Sequence, residues 1–195
     1  MKLHPIPLVL ALLSAGLAQG AETPKGWFKA GSSPREYLMT LDRTVTHSGK
    51  ASATIRCTAA RPKGFGTLMQ SFNAEMYRGK RIRFSGYVKA SEAEGGGLWM
   101  RVDGPGGKVL SFDNMQRRAI VGTTNWVKHE IVLDVPEMSE SVNFGLMIQS
   151  GQLWMDDLKF EQVGKDVPVT DLEIGKEAES RKPTTPTNLD FEESE

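Results

Sequence analysis

Between residues 37 and 163 the chain consists of short runs in which apolar and polar residues alternate. In the clearest run, Arg81–Lys89, the apolar residues Ile82, Phe84 and Val88 share one face with Gly86, and the charged residues share the other. A period of two residues is typical of a half-buried antiparallel strand. The same alternation predicts strands near residues 37–42, 51–56, 67–72, 98–102, 108–112, 126–135, 142–149 and 152–163.

The order and spacing of these runs predict an all-β fold. About nine antiparallel strands follow one another, with turns predicted at glycine-rich points such as residues 95–97 (GGG) and 104–107 (GPGG). The remaining segments lack the period of an amphipathic helix longer than about 12 residues. Residues 73–78 have room for a single helical turn. Strands of this length and spacing are typical of a β-sandwich or a barrel.

The N-terminus predicts the compartment. Residues 1–20 follow the plan of a secretory signal peptide, with Lys2 first, an apolar stretch next, and Ala18 and Gly20 at −3 and −1 of a cut before Ala21. The apolar stretch is shorter than the roughly 20 residues that a membrane span needs. An uncleaved signal anchor is the alternative. Cleavage predicts a secreted or periplasmic protein that has no membrane insertion in its mature form.

The charges divide the mature chain into two parts. Residues 21–164, the predicted β-sandwich domain, hold 19 basic and 15 acidic residues, and residues 165–195 hold four basic and nine acidic ones. The tail is therefore predicted as a disordered, acidic, Pro-containing linker. The strand-like segment NLDFEE, residues 188–193, interrupts this pattern. The formal net charge of zero argues against a nucleic-acid partner.

The reactive side chains do not form the pattern of an enzyme. The mature chain has two histidines, His47 and His129, and it lacks the HExxH, GxSxG and P-loop motifs. Its single cysteine, Cys57, excludes an intramolecular disulfide and is more typical of packing than of a nucleophile. Asp156 and Asp157 are adjacent in a strand and point to opposite faces, so they cannot form a facing acid–base pair. We therefore expect no enzymatic activity.

Four motifs in order carry a family resemblance. They are GWF at residues 26–28, HSGKAS at 47–52, YRGKRIRFSGYVKA at 77–90 and WMDDLKF at 154–160. Together they resemble carbohydrate-binding-module-like jelly rolls, also called galactose-binding-like β-sandwiches. The resemblance implies a jelly-roll β-sandwich that binds without catalysis. Members of this class occur beside hydrolases and in extracytoplasmic multi-module proteins.

The same resemblance implies a structural Ca²⁺ ion, because many related jelly rolls hold calcium with the closing-strand Asp and a Glu of an opening segment. Asp156 and Asp157 are the candidate ligands, and Glu22 or Glu192 would supply the glutamate. A solvated bulge at the two aspartates is the alternative. The opening segment is missing before residue 26, whereas NLDFEE resembles it. Residues 188–193 either dock as an edge strand or are the remnant of a lost module.

Sugar-binding surfaces combine aromatic rings, which stack on pyranose faces, with polar groups that bond hydroxyls. The candidates for such a surface are Trp99, Arg101, Asp113, Gln116, Gln149 and Trp154. Alternatively, the tryptophans belong to the core. We interpret the chain as a binding module for a glycan or another extracytoplasmic polymer. The alternative is a structural or protein-interaction β-sandwich, an accessory module of a larger assembly that has no sugar site.

Overall fold

The computed structural model describes residues 22–170. The predictions made for residues 1–20 and for the NLDFEE segment lie outside these residues. The described chain forms eight β-strands: β1 Phe28–Gly31, β2 Tyr37–Asp42, β3 Ser52–Cys57, β4 Gly66–Asn73, β5 Arg81–Asp103, β6 Val109–Asp113, β7 Ile120–Asp134 and β8 Ser141–Val163. Single 3-10 turns lie at Pro34–Glu36, Glu75–Tyr77, Pro105–Gly107 and Gln116–Arg118. The all-β prediction is confirmed. Within the described range, a helix long and apolar enough to cross a membrane does not occur.

The two longest strands, β5 and β8, organise the whole fold. They pair antiparallel along almost their full lengths, from Arg81 opposite Val163 to Asp103 opposite Ser141. At one end they carry β7 on β5, and β3 followed by β2 on β8, which we call the back layer. At the other end they carry β6 on β5, and β4 followed by β1 on β8, which we call the front layer. The chain is therefore a jelly-roll-type β-sandwich whose two layers share β5 and β8.

Both shared strands bend where the layers meet. In β5 the bend contains Glu92 and Gly95, with φ of 50° and 67°, and in β8 it contains Gly151, with φ of 84°. The register between β5 and β8 shifts between Ser91 and Glu94. Residues 95–97 are thus part of a bent continuous strand and not the predicted turn. Two pairs of predicted strands merge in this way, and the unpredicted β1 is added, so the described strands number eight.

The core lies between the inward faces of the two layers. The predicted inward face of β5 is confirmed, because Ile82, Phe84 and Val88 are fully buried. Phe84 stacks on Phe160 with ring centroids 5.0 Å apart, and Phe144 meets both rings edge-on. Aromatic pairs of this geometry stabilise a core beyond their buried area. Because strand residues alternate, the opposite face of each layer is left for solvent or ligands.

Contacts with the sandwich continue past the predicted domain boundary at residue 164. Arg81 donates hydrogen bonds from Nη1 to the carbonyl oxygens of Lys165 and Val167, and the N–H of Thr170 donates to the carbonyl of Val132, at 2.8 Å. Arg81 also pairs with Asp134, and this hydrogen bond lowers the pKa of Asp134 to about 2. Residues 165–170 therefore lie against the edge of β7, and only the later part of the predicted tail is outside the described chain.

Candidate functional site: a groove across the front layer

A groove crosses the outward face of the front layer. It consists of two adjoining cavities, of about 480 and about 280 Å³, that share Asn114 and Met147. Trp99 of β5 and Met69 of β4 lie on either side of Gly145 of β8 in the strand register. A Cβ at Gly145 would lie 2.2 Å from the carbonyl oxygen of Leu68, so glycine allows β4 to pack closely against β8 here. The larger cavity is lined by Ala30, Gly31, Phe65, Thr67, Met69, Trp99, Arg101, Phe112, Asn114 and Met147.

Trp99 forms a fixed wall of the larger cavity. Its side chain is largely buried, with 8% of the residue exposed, and its Nε1–H donates a hydrogen bond to Oγ1 of Thr67 at 2.7 Å. Thr67 in turn donates to the carbonyl of Leu146. A buried indole N–H needs such a partner. The structure therefore places the predicted residue in the groove as a rigid apolar surface with a narrow exposed margin.

Arg101 lies beside Trp99 on the same strand face, as predicted. Its Nη2 and Nε donate hydrogen bonds to Oδ2 of Asp103 at 2.8 and 3.2 Å, and Nδ2 of Asn143 donates to the same oxygen at 2.8 Å. The Arg101 side chain is 43% exposed, whereas Asp103 is buried. The carboxylate holds the guanidinium in place and offsets its charge. Arg101 thus offers donors without a net positive charge, which suits hydroxyl groups.

The smaller cavity is bounded by three amide side chains, those of Asn114, Gln116 and Gln149. Gln149 is exposed, and Gly95 allows it to lie across β5, since a Cβ at Gly95 would lie 2.8 Å from its Oε1. Amides can both donate and accept hydrogen bonds, as vicinal sugar hydroxyls do. The groove therefore joins an apolar end to an amide end.

Asp113 and Trp154 lie away from this groove, so the structure does not bring these two predicted residues together with Trp99, Arg101 and Gln149. Asp113 is fully buried, and it accepts hydrogen bonds from the N–H of Met115 and from Nη2 of Arg118, both at 2.7 Å. Trp154 lies on the outward face of the back layer, where its Nε1–H donates to Oδ2 of Asp42 at 2.9 Å. Both side chains therefore stabilise the structure locally.

Sequence reasoning missed part of the groove lining. Phe65, Met69, Phe112 and Asn114 were not among the candidate residues. The pairing of Phe112 with Arg101 puts both on one face, but this follows from the register of β6 on β5 and not from the alternation within either strand. Phe65 lies before β4, and Asn114 lies just after β6. Alternation within strands carries no information about residues in loops, so these two positions could not be found from it.

Asp156 and Asp157 form a bulge of β8 that binds a loop. Asp157 has φ of 50°, and the register slips between Ser85 and Tyr87 of β5. Oδ2 of Asp156 accepts hydrogen bonds from the N–H groups of His47 and Ser48, at 2.9 and 3.1 Å. Asp157 accepts from Oγ of Ser48 and pairs with Nδ1 of His47. Hydrogen bonds from His47 and Ser48 lower the pKa of Asp157, which keeps it ionised.

This donor set tests the predicted calcium site. The aspartate oxygens face N–H and O–H donors, whereas calcium requires oxygen ligands from several directions. Glu22 pairs with Arg43, and Glu192 lies outside the described residues. Within residues 22–170, a group of three or more His, Cys, Asp or Glu side chains that could hold a metal ion does not occur. The described residues therefore fit a hydrogen-bonded carboxylate pair better than they fit calcium.

Thermal unfolding with and without calcium tests whether Asp156 and Asp157 bind the ion. An ion that binds only the folded state raises the melting temperature by mass action. Since the aspartates are already satisfied by His47 and Ser48, we expect melts in millimolar calcium and in EDTA to superimpose. A melting temperature several degrees higher in calcium, lost in Asp156→Asn, would establish the predicted ion.

Comparisons with known proteins show the fold. No model of a known protein family matches the chain. Among solved structures, the CBM22-1 xylan-binding domain of Xyn10C from Paenibacillus barcinonensis matches with a TM-score of 0.54 at 16% identity, covering 73% of this chain and 88% of that domain. The Stig cyclase Fisc from Fischerella sp. TAU matches with a TM-score of 0.52 at 13% identity, covering 73% and 87%. The predicted carbohydrate-binding-module-like jelly roll is thus confirmed as a fold, which binding modules and an enzyme share.

A sequence relative points in another direction. YbfP of Bacillus subtilis (strain 168), named as an uncharacterized HTH-type transcriptional regulator, is 45% identical to the chain over 172 residues. The match covers 87% of this chain and 57% of the regulator. The chain therefore spans little more than half the length of this relative.

Proposed function

We propose that the chain is a non-catalytic binding module that holds an uncharged glycan in the groove of the front layer. The observation that carries this proposal is the combination found there: the fixed ring of Trp99, the charge-compensated Arg101 and three amide side chains along one groove. The xylan-binding name of a structural neighbour supports the ligand class. The signal-peptide pattern of residues 1–20 supports a place of action outside the cytoplasm.

The two ends of the groove would make different kinds of contact with a sugar. At the apolar end, the exposed margin of Trp99 together with Phe112 and Met147 provides surface for the C–H faces of a pyranose ring. At the other end, Gln149 and its neighbouring amides would bond hydroxyls. Because Trp99 and Arg101 are already held by Thr67 and Asp103, little side-chain entropy is lost on binding.

A larger open cavity, of about 730 Å³, lies on the back layer but is less suited to a sugar. It is lined by Glu22, Leu38, Thr40, Leu41, Asp42, Arg43, Thr44, Thr54, Arg56 and Gln152. These described residues include no aromatic ring for stacking, and two of the charged ones, Glu22 and Arg43, pair with each other. We therefore place the glycan on the front layer.

A second candidate function follows from the regulator relative. A helix-turn-helix needs two helices, whereas the helices of residues 22–170 are single 3-10 turns. Most of the 172 matched residues must fall within this range, so the described part of the shared region supplies something other than the DNA-binding motif. This favours the alternative of a structural or protein-interaction β-sandwich, an accessory module of a larger assembly that has no sugar site.

Titration of neutral oligosaccharides, with Trp fluorescence and calorimetry as readouts, separates the two candidates. We expect saturable binding, and we expect Gln149→Ala to weaken it about tenfold, as the loss of one or two hydrogen bonds would. Gln152→Ala is the matched control, since this amide lies on the back layer and bonds Thr54. The same saccharides should stay unhydrolysed. If no saccharide in the panel binds, the glycan proposal is wrong and the protein-interaction β-sandwich takes its place.

A further inference from the structure

The outward face of the back layer contains a pocket of its own, of about 290 Å³, where β5 runs between β7 and β8. It is lined by Ser85, Tyr87, Lys128, Asp157, Leu158 and Lys159. The bulge at Asp157 opens it, because the extra residue of β8 pushes the register apart between Ser85 and Tyr87. Bulges of this kind re-aim side chains and are common beside binding sites. The groove on the front layer does not use any of these residues.

At the base of this pocket, Ser85 presents a hydroxyl group without a partner. The residue is 0% exposed, and its Oγ makes no hydrogen bond with any described residue. A buried polar group left unpaired costs free energy, and native proteins nearly always satisfy it with a protein group, a water or a ligand. The hydroxyl of Ser85 therefore lies beneath the pocket without a partner among the described residues.

Two lysines lie on the same face of the back layer as this hydroxyl, and Glu130 of β7, which lies directly opposite Ser85, is paired with Arg83. Lys159 of β8 lies opposite Ser85 in the register, and Lys128 of β7 lies opposite Tyr87, so both share its face of the layer. Both are exposed, and among residues 22–170 neither ammonium group forms a salt bridge. Asp157 turns its oxygens to His47 and Ser48. The lining thus holds two positive charges against one negative charge.

The remaining wall of the pocket is rigid. The ring of Tyr87 stacks on His47, with centroids 3.7 Å apart and planes at 14°, and His47 is held by Asp157. Trp126 meets His47 edge-on, with ring centroids 5.7 Å apart. The aromatic wall of the pocket is therefore preformed.

We propose that this pocket binds a small oxyanion, a carboxylate or sulfate group of an acidic ligand. Ser85 would donate to one anion oxygen from below, and the ammonium groups of Lys128 and Lys159 would compensate its charge. The proposal is independent of the glycan groove, since the two sites lie on opposite layers.

Amide-resolved NMR titration at constant ionic strength tests this, with sodium glucuronate, sodium sulfate and uncharged glucose as probes. We expect saturable shifts centred on Ser85, Tyr87 and Lys159 with at least one of the two anions, and none with glucose. Whichever anion binds more tightly identifies the group that the pocket prefers. Absence of saturation with both anions, or equal binding of glucose, would overturn the proposal.

Charge-removing variants locate the binding. Lys128→Gln with Lys159→Gln should weaken anion binding at least tenfold and leave the melting temperature unchanged, because both side chains are exposed. The matched control removes two exposed lysines on the side of the front layer, Lys29→Gln with Lys108→Gln. Ser85→Ala should weaken anion binding several-fold without weakening glycan binding in the groove. If both double variants lose the same anion affinity, binding depends only on the net charge of the protein, and the proposed pocket is wrong.

Discussion

Replacing Gly151 with alanine should lower the free energy of unfolding by about 3 kcal/mol or more, because two costs combine at this residue. Its φ of 84° is a left-handed conformation that side chains rarely adopt, and a Cβ there would approach the carbonyl oxygen of Glu92 to 2.1 Å. That oxygen belongs to the backbone of β5 and cannot move away as a side chain would. Urea denaturation monitored by Trp fluorescence measures the loss.

Gly122→Ala is the matched control for this substitution. Gly122 has a similar φ of 76°, but a Cβ there would meet nothing within 4 Å. It should therefore cost only the backbone strain, about 1–2 kcal/mol. If both variants lose the same stability, the close approach of β8 to β5 at the bend contributes nothing.

Trp99→Ala should have the second large effect, on stability and on binding together. Removing a buried tryptophan typically costs about 3–5 kcal/mol, and Oγ1 of Thr67 also loses its donor. The apolar wall of the groove would disappear with the ring. We expect denaturation to show the loss of stability, and calorimetry below the melting temperature to show loss of glycan binding.

Trp99→Phe separates the ring from its N–H group. Phenylalanine keeps an apolar wall but cannot donate to Thr67, so it should lose less stability and retain measurable glycan affinity. A folded Trp99→Ala protein that binds glycan as tightly as the unchanged chain would move the site away from this groove.

The strands could be predicted from the sequence because alternation records which side chains are buried. The bends could not, because a glycine run such as residues 95–97 permits a reversal or a bend equally well. The choice depends on β8, which pairs with β5 on both sides of the bend, from Ser91 opposite Gln152 to Gly96 opposite Ile148. A partner so distant in sequence leaves no trace in a local pattern.

Local alternation also could not predict how the candidate site residues are distributed between the two layers. Trp99 and Arg101 were correctly placed on one face, since they are two residues apart in one strand. Gln149 and Trp154 are only five residues apart, but the bend at Gly151 puts them on different layers. Phase within a strand indicates inward or outward, and it cannot indicate which layer. The burial of Asp113 could not be predicted, because its partner, Arg118, comes from the next turn.

The central position of β8 also determines when the protein can fold. β8 is the last of the strands that the structure describes, yet it pairs with β3, β4 and β5, as in Ala53 opposite Met155 and Gly66 opposite Ile148. A nascent chain that ends before Ser141 has β3 paired only with β2, and β4 only with β1. Neither layer can close until the residues of β8 have left the ribosome, and pairings this distant in sequence form slowly. The core of the sandwich therefore forms only after β8 itself has been synthesised.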